Sequence, residues 1–311
     1  MDAPWRRVFA RLSGHPHSHL VNDLINVGER ELDKFQRLSD ANSDEVFALL
    51  SEGLEGNVIL LHNMRVFGMD PGRTGFNGEY FGRRRDGELV AVGAVFNLGS
   101  MFLYARDEEA VEGMAEYVAG LEALPGVVHG KASIVDRLFD HEPLMLKAGM
   151  RLYLDLMVLR ENAVHEDIET AGARLSLAED LDDLVELQLG MEREAFGEAP
   201  VDEWADRELL ATQVSRGAAY LLEVDGSIVS KAEATSLERV GSWLGGVYTR
   251  PDSRGRGHST RCVAALCLHL LENAPFVALT VDKDNHAARA VYHRIGFEKV
   301  DDWAIARIYP P

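Results

Sequence analysis

The chain is written twice, and that doubling limits the folds open to it more than any other feature. In residues 219–232 two strand-like runs flank Asp225-Gly226, and in residues 78–95 two more flank Asp86-Gly87. Aspartate followed by glycine between strands spells a tight hairpin, because both central residues of that turn need positive φ. Each half then offers a third strand, an amphipathic helix, a short strand and a second helix. The pattern predicts these over 101–104, 108–121, 127–130 and 135–147 in the first half, and over 243–249, 259–273, 277–281 and 286–295 in the second. Each closing helix is expected to end at a glycine, Gly149 or Gly296, ahead of a last strand at 152–159 or 299–308. A polar stretch at 160–172 separates the copies. The expected class is α/β (α+β): a domain over 1–160, a linker over 161–173 and a domain over 174–311, each a mixed, mostly antiparallel sheet flanked by helices.

The copies differ after the third strand. In the second half, Gly245 to Thr249 meets a proline at 251, crosses Arg254-Gly255-Arg256-Gly257-His258-Ser259 and enters a helix. Glycines at 255 and 257 let the backbone turn tightly and gather bare N–H groups on one concave surface. The helix start adds its positive dipole end. Arg254 and Arg256 bring mobile positive charge, and Ser259 is placed to cap the helix through its hydroxyl. A phosphate or diphosphate suits such a site. The run lacks the lysine and spacing of a Walker A loop. A dinucleotide loop wants a third glycine where Thr260 stands. The first half instead carries Ala105-Arg106-Asp107-Glu108-Glu109, whose carboxylates suit a helix start and repel a diphosphate.

Arg254, Gly257 and Ser259 fill an Arg-x-x-Gly-x-small pattern that resembles the acetyl-CoA loop of the GCN5-related N-acetyltransferases (GNAT superfamily). Ser259 departs from the usual Gly or Ala but is small. Asn285-x-x-Ala288-x-x-x-Tyr292-x-x-x-Gly296-Phe297 resembles the second signature of that family. The resemblance is specific over the last third of the chain and implies a tandem acetyltransferase fold with a worn first copy, in which Met145 stands opposite Tyr292. That copy is expected to be structural or to wall the acceptor site. The resemblance further implies that Val247, Tyr248 and Thr249 hold the pantetheine and thioester through main-chain groups, on a strand that splays from its neighbour. Arg254, Gly255, Arg256, Gly257, His258 and Ser259 would then grip the diphosphate and Asn285 would touch the pantetheine arm.

Acyl transfer to an amine needs the thioester held, the amine deprotonated and the leaving thiolate protonated. Tyr292 is the candidate acid, since a phenol and a thiol have similar pKa values; its alternative is plain packing between helix and sheet. Glu233 is the candidate base, with Glu223 behind it on a face shared with Leu221. Glu233 shares a face with Lys231, so a solvated ion pair is its alternative, and a weakly basic amine needs no strong base. Phe196, Trp204 and Glu192-Arg193-Glu194 lie in the segment that lines acceptor sites in the family.

The remaining features constrain the setting. A formal net charge of −19 argues against nonspecific nucleic-acid binding. No run is apolar enough to span a bilayer, and the N-terminus lacks a signal-peptide core, so a cytoplasmic protein is expected. Cys262 and Cys267 read as buried thiols. His15, His17 and His19 alternate beside proline and read as a loose segment rather than a metal site, and no metal is required. Arg83-Arg84-Arg85 reads as a solvated hairpin end, and His258 either touches the diphosphate or faces water. The expected activity is acetyl-CoA-dependent N-acetyl transfer by direct attack, with a homodimer compatible. The acceptor stays open among polyamines, amino acids, aminoglycoside-like amines, peptide N-termini and lysines. Two rivals stand: an aminoacyl-tRNA-dependent transferase of the same fold, which the acidic balance opposes, and a non-catalytic CoA-binding regulatory module.

Overall fold

The computed structural model describes residues 34–70, 72, 74–122, 124–140, 147–196 and 203–309. His15, His17, His19 and Met145 lie outside them. In chain order the first half holds β1 (Phe35–Arg37), α1 (Ser43–Leu50), α2 (Leu54–Phe67), β2 (Gly78–Arg85), β3 (Glu88–Phe96), β4 (Ser100–Ala105), α3 (Met114–Ala119), β5 (Val127–Lys131), α4 (Ala132–Asp140) and β6 (Lys147–Arg160). The second half holds β7 (Ala173–Leu175), α5 (Leu181–Phe196), α6 (Glu203–Ser215), β8 (Ala219–Val224), β9 (Ser227–Glu238) and β10 (Gly241–Thr249). It continues with α7 (His258–Leu271), β11 (Phe276–Asp282), α8 (His286–Ile295) and β12 (Glu298–Tyr309).

Contacts divide the described chain into two compact units. One takes residues up to 53, then 63–152 and 304 onward, and the other takes 54–62 and 153–303. In the N-terminal unit β1, β2, β3 and β4 are antiparallel neighbours and β4 pairs β5 in parallel. The chain's last strand completes this unit: Ala304, Ala306 and Ile308 are buried in its core, and Ile308 N donates to Gly126 O at 3.0 Å. In the C-terminal unit β6, β11, β10, β9, β8 and β7 are successive neighbours. One face of that sheet packs on α7 and α8 through Cys262, Leu266, Cys267, Tyr292 and Ile295.

Both Asp-Gly hairpins form as expected, with φ of 53° and 87° at Asp86 and Gly87 and 51° and 78° at Asp225 and Gly226. The second closing helix also ends on its glycine, Gly296, at φ 119°. The expected linker is tied to that end: His165 N donates to Ile295 O at 3.1 Å and Arg294 pairs with Asp167.

The first half departs from the expected repeat. The helix foreseen over 108–121 is a 3-10 turn, Glu108–Val111, then α3, because the chain between them passes through Gly113 at φ 80°. The second helix is described over Ala132–Asp140, and Gly149 lies inside β6 rather than capping a helix. Arg151 of β6 pairs with Asp136 and Asp140 of α4. The arginine triplet is not a freely solvated end either. Arg83 donates to the carbonyls of Glu109 and Glu112, Arg84 pairs with Glu45, and Arg85 pairs with Asp107.

Candidate functional site

β10 ends in a 3-10 turn, Pro251–Ser253, and the chain then passes through Gly255 at φ 74° and Gly257 at φ 77° into α7. A Cβ at either glycine would meet nothing within 4 Å, so glycine serves conformation here, not close packing. Gly257 is the helix N-cap and no side chain caps it; Ser259, foreseen in that role, is the second helical residue. The first helical backbone bond runs from Arg261 N to Gly257 O at 3.1 Å. Among the described residues, the N–H groups of residues 255–260 have no acceptor. Uncapped donors at a helix start form an anion site.

The side chains around this nest differ from the sequence reading. Arg256 is exposed and, among the described residues, has no ion pair. Arg254 is pinned rather than mobile. Its Nε donates to Thr249 O at 3.0 Å, its Nη2 reaches both Glu194 oxygens at 2.8 Å, and its guanidinium lies 5.4 Å from the Tyr248 ring centre. His258 does not face water: it is buried, and its Nδ1 has no partner among the described residues. Burial, then Arg261 and Arg256, push its imidazole below the ordinary range.

Strand β10 opens beside this loop. It pairs β11 only at Ser242↔Val277 and Trp243↔Ala278, whereas β11 stays paired to β6 out to Asp282↔Leu154. From Leu244 to Thr249 the β11 side of β10 is therefore unpaired, among the described residues, and its main-chain groups are available to a ligand arm. Val247 and Tyr248 lie in this stretch. On the other edge, Gly245↔Glu233 and Tyr248↔Lys231 leave Gly246 and Val247 in a bulge, with Gly246 at φ 56°.

The bulge presses on the candidate base. A Cβ on Gly246 would meet the Glu233 carboxylate at 2.8–2.9 Å. Glu233 is buried and bonds the Nζ of Lys231, which is wholly buried and also donates to Gln188 Oε1 at 2.7 Å. Gln188 in turn donates to Glu192 at 2.7 Å. The Lys231–Glu233 pair is thus a sequestered one, not the solvated pair foreseen as its alternative. Glu223 is corrected outright: it is exposed and faces Arg174 at 3.6 Å. A register shift between Leu222 and Glu223 breaks the alternation that would have put it with buried Leu221.

Tyr292 lies on α8, buried, its ring edge-on to Phe297 at 5.6 Å between centroids. Burial, with Cys267 nearby, pushes its phenol well above the ordinary range, so it stays a neutral donor. Asn285 caps α8 through its side-chain oxygen, which accepts from Ala288 N at 3.1 Å, leaving its amide N–H groups for other partners. The thiols are buried as expected, and burial pushes Cys262 up to about 12. Trp204 is exposed on α6, and the Phe196 side chain lies outside the described set. The sequence reading missed Gln188 and the bulge; Gly245-Gly246 inside a strand was the available signal for the latter. Among the described residues, no three His, Cys, Asp or Glu cluster to hold a metal, and no helix is long and apolar enough to cross a membrane.

Comparison with known proteins agrees with the architecture. Residues 224–307 match a family model described as FR47-like protein. A search of curated proteins returned no match. Among solved structures, the chain is similar to a GCN5-related N-acetyltransferase from Sphaerobacter thermophilus, at 19% identity over 90% of this chain and 97% of that one, with a TM-score of 0.61. It is similar to a GNAT-family acetyltransferase from Colwellia psychrerythraea, at 13% identity over 89% and 99%, with a TM-score of 0.56. It is also similar to a tandem GNAT protein from the clavulanic acid biosynthesis pathway, at 15% identity over 88% and 97%, with a TM-score of 0.53.

Proposed function

We propose, from a chain that has the fold of the GCN5-related N-acetyltransferase superfamily, that its C-terminal unit moves an acetyl group from acetyl-CoA to a primary amine of a small molecule or peptide. The observation that carries this reading is the uncapped start of α7, where the N–H groups of residues 255–260 face no acceptor among the described residues. Those donors and Arg256 would hold the diphosphate, and the unpaired edge of β10 would hold the pantetheine arm. The amine nitrogen attacks the thioester carbonyl carbon, and the carbon–sulfur bond breaks. The Tyr292 hydroxyl, which burial keeps neutral, donates a hydrogen bond to the leaving thiolate, whose proton comes from water through that hydroxyl. The ammonium proton of the acceptor passes to Glu233 directly or through water. No bond between acetyl group and protein is formed.

The N-terminal unit is proposed to bind no CoA. Where the second copy has its glycine–arginine turn, this unit has Asp107 accepting from Ala110 N at 2.9 Å, with Glu108 and Glu109 in the turn that follows. Asp107 already takes a donor of this turn, and the three carboxylates repel phosphate.

One observation favours a second reading, a CoA-binding regulatory module: the buried pairing of Glu233 with Lys231, which occupies the candidate base. Calorimetry with CoA and thiol release from acetyl-CoA over an amine panel separate the two. Gly257→Glu is expected to abolish CoA binding, and unchanged affinity would show the loop assignment to be wrong. Tyr292→Phe is expected to lower turnover while affinity holds. Tight binding without turnover on any amine would favour the module.

A further inference from the structure

The arginine of the anion loop is held by the helix on the other face of the sheet. Glu194 of α5 places both carboxylate oxygens on Arg254 at 2.8 Å, and one of them accepts the Tyr248 hydroxyl at 3.0 Å. Tyr248 sits immediately after the bulge and packs its ring under the guanidinium. A Cβ on Gly190 would meet the Tyr248 hydroxyl at 2.9 Å, so α5 lies tight against this ring because residue 190 has no side chain. Arg254 also donates from Nε to the Thr249 carbonyl, tying the loop to the end of β10. A guanidinium fixed by a carboxylate pair, a carbonyl and a ring face is a strut rather than a mobile phosphate ligand. The same helix carries Gln188, which bonds the buried Lys231 beside Glu233.

On the reading that residues 255–260 grip the CoA diphosphate, we propose that Glu194 is a positioning residue for the cofactor. It acts through Arg254 and Tyr248 to hold the anion loop and the bulged end of β10 in register, while the diphosphate is taken by main-chain N–H groups and Arg256. Because α5 reaches the candidate base through Gln188 as well, the helix links the cofactor half of the site to the acceptor half.

Calorimetry of the full chain with CoA tests this, with the melting temperature recorded alongside. Glu194→Gln and Arg254→Gln are each expected to weaken CoA about threefold to fivefold, since the pair is half exposed and screened. The double variant is expected to be no weaker than either single one, because both changes remove one strut. The KM for acetyl-CoA should follow the same shift, and the salt dependence of CoA affinity should flatten in Arg256→Gln but not in Arg254→Gln. Unchanged or tighter binding in Glu194→Gln would overturn the proposal, the latter showing that Glu194 competes with the diphosphate for Arg254. Additive losses would overturn it too, since Arg254 would then touch phosphate itself. Should Glu194→Gln fail to fold, Tyr248→Phe removes only the hydroxyl bond and must weaken CoA by a smaller step; no change there has the same overturning force. If the wild-type chain binds no CoA, the proposed function falls; if it binds and these variants do not respond, only the strut falls.

Discussion

Replacing Gly246 by alanine is the sharpest probe of the site's construction. Two costs meet there. At φ 56° an alanine sits in the left-handed region, at a penalty of about 1–2 kcal/mol. Its Cβ would also stand 2.8–2.9 Å from the Glu233 carboxyl carbon and oxygens, well inside ordinary contact. A free side chain would swing away, but Glu233 is buried and bonded to Lys231, which is itself held by Gln188. Severing a buried pair costs about 3–5 kcal/mol, so loosening this one adds about 1–2 kcal/mol. Gly246→Ala should therefore destabilise the C-terminal unit by about 2–4 kcal/mol. Gly226→Ala is the control: φ there is 78° and nothing lies within 4 Å of the added methyl, leaving the backbone penalty of about 1–2 kcal/mol alone. Urea unfolding followed by the fluorescence of Trp243 and Trp303, whose rings lie 6.4 Å apart in this unit, reports the difference. Equal losses for the two variants would refute the claim that the bulge clamps Glu233.

Further outcomes can be checked with the same protein. Arg256→Gln should weaken CoA by about threefold to tenfold, since the lost contact is exposed and screened, and calorimetry at two salt concentrations measures it. Cys262 and Cys267 should not react with an aromatic disulfide reagent in the native state and should both react in urea, because burial holds both thiols protonated; fast native labelling would contradict this. His129 stacks on Phe102 at 4.5 Å between centroids, and burial pushes its imidazole down from 6.5 to about 4. Its folded pKa is depressed, so the unfolded chain takes up the proton first. Stability present above about pH 6.5 is lost as pH falls toward 4, by about 2 kcal/mol at pH 5. His129→Phe should flatten that stretch of the urea midpoint against pH.

How far the sequence could be read depended on whether a feature is local. The hairpins at Asp86-Gly87 and Asp225-Gly226 were legible because positive φ is demanded by those residues themselves. Helix α8 was legible because Asn285 caps one end and Gly296 the other. The splay of β10 came only through the family resemblance, and no residue pattern states it. What could not be read is set by tertiary contact. Gly149 lies inside β6, where Arg151 pairs with Asp136 of α4, and the last residues of β12 belong to the core of the N-terminal unit. Burial of Lys231 was likewise hidden, since its cover comes from Gln188 on a helix far away in sequence.

The charge of the chain looks at odds with the proposed diphosphate site, but the two act over different distances. A net charge of −19 acts over distances that salt screens, whereas the donors of residues 255–260 are main-chain groups acting at contact. On the proposed reading their grip on an anion depends more on two left-handed glycines and a free helix start than on the charge of Arg256. On that reading serine at 259 is tolerable and Arg254 is free to pair with Glu194. It also predicts an order of sensitivity: a side chain at Gly255 or Gly257 should harm CoA binding more than loss of either neighbouring arginine. Affinities of Gly255→Val and Arg256→Gln compared at equal salt decide the matter, and a larger loss in the arginine variant would mean that charge, not backbone shape, makes the site.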